Sequence, residues 1–276
     1  MVGQMPFLED LARSSARARS LVCVGLDPEP DLIPGHLGSG PQAAAGFLRR
    51  IIQATAEHAA AYKPNLAFFE QYGPSALDIL ALAVQSVPAG IPVILDGKRG
   101  DVPNTAAAYA RALFDQFGAH AVTVSPYLGL DAIAPFCSEG RYAFVLARTS
   151  NPGAKDLQDL VVEGRPLYEH VVERCTAAFP REQVGFVVGA TYPEEARRLR
   201  VLAPDSLFLM PGVGAQGADP AVALRAAADR DGGGLLIASS RSILFASRGP
   251  DFDMAAGHAA RDLKDLLNRA RDAVAT

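Results

Sequence analysis

The stretch "VILDGKRGDVPNT", from Val93 to Thr105, sets Asp96, Lys98 and Asp101 directly behind an apolar run. On an extended chain, positions two apart share a face, so Asp96 and Lys98 are expected to point the same way. A lysine between carboxylates is favoured in its charged form. Such a lysine is a poor Schiff-base nucleophile, which must be neutral, and a suitable proton donor to a developing carbanion. A carboxylate fixed beside the donor would repel a substrate carboxylate and favour its departure as neutral CO2. These residue types therefore point to decarboxylation without a cofactor. A structural salt bridge would account for Asp96 and Lys98 alone. Adding Asp101, and Lys63 on a neighbouring strand, exceeds what stability asks for, because buried ion pairs contribute little net stability.

A second region carries anion-binding chemistry. "PGVGAQG", starting at Pro211, holds Gly212, Gly214 and Gly217 in a formal G-x-G-x-x-G spacing, with Gln216 inside it. The context argues against a dinucleotide fingerprint, which belongs after the first strand of a nucleotide-binding half, with an acid ending the next strand. Here the following apolar run ends in "ASSRS", where Arg241 opens a helical segment. Glycines let backbone N–H groups approach an anion, and an arginine grips one in a fork. A phosphate is the expected occupant. Glycines that merely make a tight turn would explain the glycines, but explain Gln216 and Arg241 less well.

These groups need a scaffold that brings them together. Eight short apolar runs alternate with Ala-, Leu- and Arg-rich helical sequence: "LVCVGL", "AAYKPN", "PVILD", "HAVTVS", "YAFVLA", "VGFVVG", "SLFLMP" and "GLLIAS". Nearly continuous hydrophobicity marks strands buried on both faces. Eight βα units in 276 residues, with no Pro/Gly/Ser linker, predict an α/β fold made of a single (β/α)8 TIM barrel. That domain is expected to span residues 1–276, with an added N-terminal helix near 5–18 and a C-terminal helix near 253–273. In such a barrel, function gathers at the C-terminal ends of the strands and in the loops that follow. Asp27, Lys63, Asp96, Lys98, Ser150, Gln216 and Arg241 all fall there. Each alone has a plain reading as a loop cap or solvated charge; their recurrence at one end of the strands favours function.

The whole chain narrows the options further. Its formal charge of −4 and scattered basic residues give no footprint for nucleic acid or anionic lipid. Cys23, Cys137 and Cys175 are widely separated, which provides neither metal-ligand spacing nor a disulfide framework and fits a reducing, cytoplasmic setting. The first twenty residues lack the apolar run of a signal peptide, and no segment has the roughly 18 apolar residues of a membrane helix.

"DGKRGDVPNT" matches D-x-K-x-x-D-(I/V)-x-x-T from Asp96 to Thr105, and on it the chain resembles the orotidine 5'-phosphate decarboxylase family. Supporting matches are "GLDP" around Asp27, "KPN" at Lys63, "TSNPGA" around Ser150, "PGVGAQG" and the arginine of "SSRSI". "KPNLAFFEQYG" and the longer loop after the fifth strand are similar to the larger bacterial branch. The resemblance implies cofactor-independent conversion of orotidine 5'-monophosphate to UMP, with no metal. Lys98 would protonate C6 and Asp96 would face the departing carboxylate. Lys63 and Asp27 would contact the ribose, and Ser150 the pyrimidine. Gln216 and Arg241 would hold the 5'-phosphate, and Pro211 would be among the substrate-binding residues. It also implies a homodimer in which Asp101 and Thr105 serve the partner's site. One departure is Ser240, where many relatives have glycine before the phosphate arginine.

Two other readings compete. A phosphosugar decarboxylase or aldolase of the same wider group shares D-x-K-x-x-D but uses Mg2+, whose octahedral oxygen shell sits poorly with lysines between the acids. A barrel that binds nucleotide without turnover would not need the intact charge network.

Overall fold

The computed structural model describes residues 6–138, 140–213 and 217–273. Strands β1 (Val22–Gly25), β2 (Ala61–Lys63), β3 (Ile94–Arg99), β4 (Ala121–Val124) and β5 (Tyr142–Arg148) occupy the first half. They are followed by β6 (Val161–Val162), β7 (Arg165–Pro166), β8 (Val184–Val188), β9 (Phe208–Met210) and β10 (Leu235–Ser239). Apart from the β6–β7 hairpin, which is antiparallel and separate, the strands pair in parallel in the order β2-β1-β10-β9-β8-β5-β4-β3. Parallel bridges Tyr62↔Val93 and Asn65↔Asp96 join the two ends, closing a (β/α)8 barrel. All eight barrel strands coincide with the apolar runs read from the sequence. The hairpin in the long loop after β5 was not foreseen, since two-residue strands leave no periodicity to detect.

Strand side chains alternate between two cores. One column faces the surrounding helices: Val22 and Val24 pack with Phe47, Leu48 and Ile51 from the helix Gly40–Thr55. The other column fills the barrel interior with Cys23, Ala61, Ile94, Ala121, Phe144, Leu209 and Leu236. Helix Phe7–Ala18 closes the N-terminal end of the barrel, with the Phe7 ring 4.8 Å from Tyr142 and 5.8 Å from Phe144. Helix Phe252–Asp272 lies against the outer core through Phe252, Ala256, Ala260 and Leu267. Aromatic rings pack across the floor, and the cavity among the described residues opens at the C-terminal end of the barrel. Among the described residues, no helix is long and apolar enough to cross a membrane.

Candidate active site

The interior columns of several strands continue past their apolar residues into polar ones. Counting in twos, Cys23 leads to Gly25 and Asp27, Ala61 to Lys63 and Asn65, and Ile94 to Asp96. Likewise Ala121 leads to Thr123, Leu209 to Pro211, and Leu236 to Ala238 and Ser240. Asp27, Lys63, Asn65, Asp96, Thr123 and Ser240 from these columns, together with Lys98, line one cavity of about 790 Å³ at the C-terminal end of the barrel, with Ser150, Gln158 and Arg241 on its rim. Parity within the strands thus turns a hydrophobic interior into a reactive mouth without any change of fold.

Asp96 is the centre of the network. Its Oδ2 meets Lys63 Nζ at 2.7 Å and its Oδ1 meets Lys98 Nζ at 2.7 Å. Thr123 Oγ1 donates to the same Oδ1 at 2.8 Å. Burial alone would raise the Asp96 carboxyl, but the two ammoniums outweigh it and hold the group well below the usual carboxylate range. For Lys63, burial works against the charge, yet Asp96 and Asp27 overcome it and keep the ammonium more basic than usual. Asp27 is the weaker member. Burial raises its carboxyl, and Lys63, the Ser240 hydroxyl and the Asn65 N–H only partly offset that. Beneath them, desolvation pushes the Cys23 thiol up to about 12, so it is inert.

The sequence placed Asp96 and Lys98 together by the two-residue repeat of a regular strand; the structure reaches the same meeting differently. Lys98 has φ +46°, in the left-handed region, and the β3–β4 register shifts between Leu95 and Arg99. The Lys98 N–H donates to Thr123 Oγ1 at 3.0 Å, which supports this bend. The ammonium therefore rises toward the cavity mouth with its side chain 47% exposed while Asp96 stays buried. Strain held at such a position is characteristic of functional sites. The expectation of carboxylates on both sides of Lys98 is corrected in part: within its own chain its acidic partner is Asp96. Asp101 instead accepts from the Val102 N–H at 2.7 Å, and neither Asp101 nor Thr105 lines the cavity.

The opposite wall comes from β5 and β8. Gly189 leaves room for Ser150, because a Cβ there would lie 2.7 Å from the Ser150 Cα and N. Behind it, Thr149 and Gln158 hold each other: the Thr149 N–H donates to Gln158 Oε1 at 2.8 Å and Gln158 Nε2 donates to Thr149 Oγ1 at 2.9 Å. Arg148, buried under the Tyr192 ring, pairs with Asp159 at 2.7 Å and ties the loop down. At the remaining side, Pro211, Gly212, Val213 and Arg241 line the cavity. Gln216 lies outside the described residues. Thr123, Asn65 and Gln158 went unassigned in the sequence. Thr123 was detectable as the lone polar residue of an apolar strand, whereas Gln158 is brought in by loop geometry alone.

A closed-bottom barrel with a Lys–Asp–Lys group and an arginine across its open mouth is a small-molecule site for an anionic ligand. The chain belongs to the Orotidine 5'-phosphate decarboxylase / HUMPS family, whose model matches residues 20–251. It is 47% identical over 273 residues to orotidine 5'-phosphate decarboxylase of Roseiflexus castenholzii, covering 98% of this chain and 100% of that one. The Thermomicrobium roseum enzyme of the same name is 46% identical, over 98% of both chains. Among solved structures, Leishmania donovani OMP decarboxylase superposes with a TM-score of 0.86 at 41% identity, covering 97% of this chain and 99% of that one.

Proposed function

We propose that this protein converts orotidine 5'-monophosphate to UMP and CO2 in pyrimidine biosynthesis, with no cofactor and with Lys98 as the proton donor. The observation that carries the reading is the Asp96 carboxylate, buried and ionised between Lys63 and Lys98 at the base of the cavity. A substrate carboxylate bound beside it meets like charge. At about 4 Å and an effective dielectric near 20, that repulsion is worth about 4 kcal/mol, and it vanishes when neutral CO2 leaves. As the C6–carboxylate bond breaks, its electron pair stays on C6. An N–H of the Lys98 ammonium delivers the proton there, and the neutral amine regains one from water. Lys63 and Asp27 hold the ribose, Ser150 the pyrimidine, and Gln216 and Arg241 the phosphate, with Pro211 lining the substrate cavity. Binding energy collected at the phosphate serves to orient the ring over the charges.

In this reading Asp101 and Thr105 complete the site of a partner subunit in a homodimer. Their absence from their own cavity supports that, as do Val102 and Tyr109 after β3 and Tyr127 and Leu128 after β4, large side chains exposed beside them in the chain. The family model also covers phosphosugar enzymes. The 43–47% identical relatives, all bearing the decarboxylase name, favour the nucleotide substrate. The test is a spectrophotometric assay with orotidine 5'-monophosphate in the presence of EDTA. Turnover that survives the chelator is expected. No loss of substrate absorbance, or turnover that requires added Mg2+, would refute the reading.

A further inference from the structure

Ser240 stands where the resemblance leads one to expect glycine, and its side chain occupies a space that β1 leaves for it. In the parallel β1–β10 register, Val24 pairs with Ser239, which sets Gly25 beside Ser240. A Cβ on Gly25 would overlap the Ser240 Oγ and stand 2.7 Å from its Cβ. Gly25 is not among the glycines with positive φ, so close approach, not backbone conformation, is what requires glycine there. The serine hydroxyl thus fills the missing volume of residue 25, two residues before Asp27 on the same interior column.

The hydroxyl is also free of the usual duty of a serine at this position. Ser240 precedes the short helix Arg241–Leu244, yet it makes no side-chain capping hydrogen bond. Its hydroxyl instead lies by the Asp27 carboxylate, whose charged form it favours, and both residues line the cavity. On its other side Asp27 accepts from the Asn65 N–H at 3.2 Å, so the carboxylate is held from the loop after β2 and faced by Ser240 just past β10. The charged groups facing it are Lys63 from β2 and Asp96 from β3, with buried Cys23 on its own strand.

We propose that Ser240 is a positioning residue: its hydroxyl fixes the Asp27 carboxylate for the ribose and joins the ribose contact to the adjoining Arg241 phosphate contact. The proposal rests on the orotidine 5'-monophosphate reading. A hydrogen bond to a charged group is worth enough to change binding by about tenfold. Ser240→Ala is small enough to leave the backbone and the Gly25 contact in place. Ser240→Gly restores the residue expected from the resemblance.

The experiment measures UMP affinity and kcat/KM for Ser240→Ala, Ser240→Gly, Asp27→Ala and Asp27→Ala/Ser240→Ala, with inorganic phosphate as a second ligand. Both Ser240 variants should weaken UMP about tenfold, and the Ser240→Ala effect should shrink to under about twofold once Asp27 is already alanine. Phosphate affinity should stay unchanged in Ser240→Ala. Equal losses with and without Asp27 would overturn the proposal, as would an unchanged UMP affinity. A matching loss of phosphate affinity would instead assign Ser240 to the phosphate end. Failure of the wild-type protein to turn over orotidine 5'-monophosphate would strike the underlying reading.

Discussion

Replacing Asp96 with asparagine removes the charge that makes two neighbouring lysines tolerable, and the consequence for stability follows from their different exposure. The Lys63–Asp96 pair is 2.7 Å long with side chains only 7% and 9% exposed, whereas the Lys98 side chain is 47% exposed. Breaking a buried pair costs about 3–5 kcal/mol, mostly through the charge left behind. Asparagine keeps an oxygen for Thr123, and Asp27 still faces Lys63, so the lower end, about 3 kcal/mol, applies. The exposed Lys98 pair adds no more than about 1 kcal/mol. For a domain of this size, with about 2–4 °C per kcal/mol, the main loss lowers Tm by roughly 6–12 °C.

Thermal unfolding followed by circular dichroism reads this directly. Because the folded-state carboxyl of Asp96 sits below its unfolded value of about 3.9, its stabilisation is fully present above that pH. It is lost as pH falls toward the folded value, so the gap between wild type and variant should persist from neutrality to about pH 4 and narrow below. Adding Lys63→Met removes the orphaned cation and should restore at least half of the lost Tm, with Asp27 answering the loss of its cation by taking up a proton. Activity should not return. If the double variant melts no higher than Asp96→Asn, or if Asp96→Asn itself loses less than about 2 °C, the uncompensated-charge argument is wrong.

Three further outcomes are expected. Lys98→Ala should lose at least about 10²–10⁴-fold in kcat while still binding UMP in calorimetry; near-normal kcat would remove Lys98 as proton donor. Arg241→Ala should lower kcat/KM for orotidine 5'-monophosphate far more than for orotidine, which lacks the phosphate, and equal losses would remove the phosphate assignment. Mixing inactive Lys98→Ala and Asp101→Asn subunits at equal amounts should restore roughly a quarter of all sites, since about half the dimers are hybrids with one intact site. No recovery after demonstrated subunit exchange would return Asp101 to its own chain.

What the sequence determined by itself was the set of barrel strands and the polar residues at their ends. Short continuous apolar runs such as "GLLIAS", bounded by turn residues and alternating with helical sequence, read as doubly buried strands, and the signature from Asp96 to Thr105 lies in a single stretch where residue type and spacing are both visible. Other features required the third dimension. Lys63 and Asp96 are far apart in the chain, and they meet because bridges from Tyr62 and Asn65 close the barrel between β2 and β3. Lys98 reaches Asp96 through a left-handed residue and a register shift, a local departure that the two-residue repeat does not encode. Gly25 and Ser240 lie at opposite ends of the sequence, and neither explains itself alone. Only the parallel pairing of β1 with β10 sets the absent side chain of one against the hydroxyl of the other, because contact between distant residues is a property of closure and not of order along the chain.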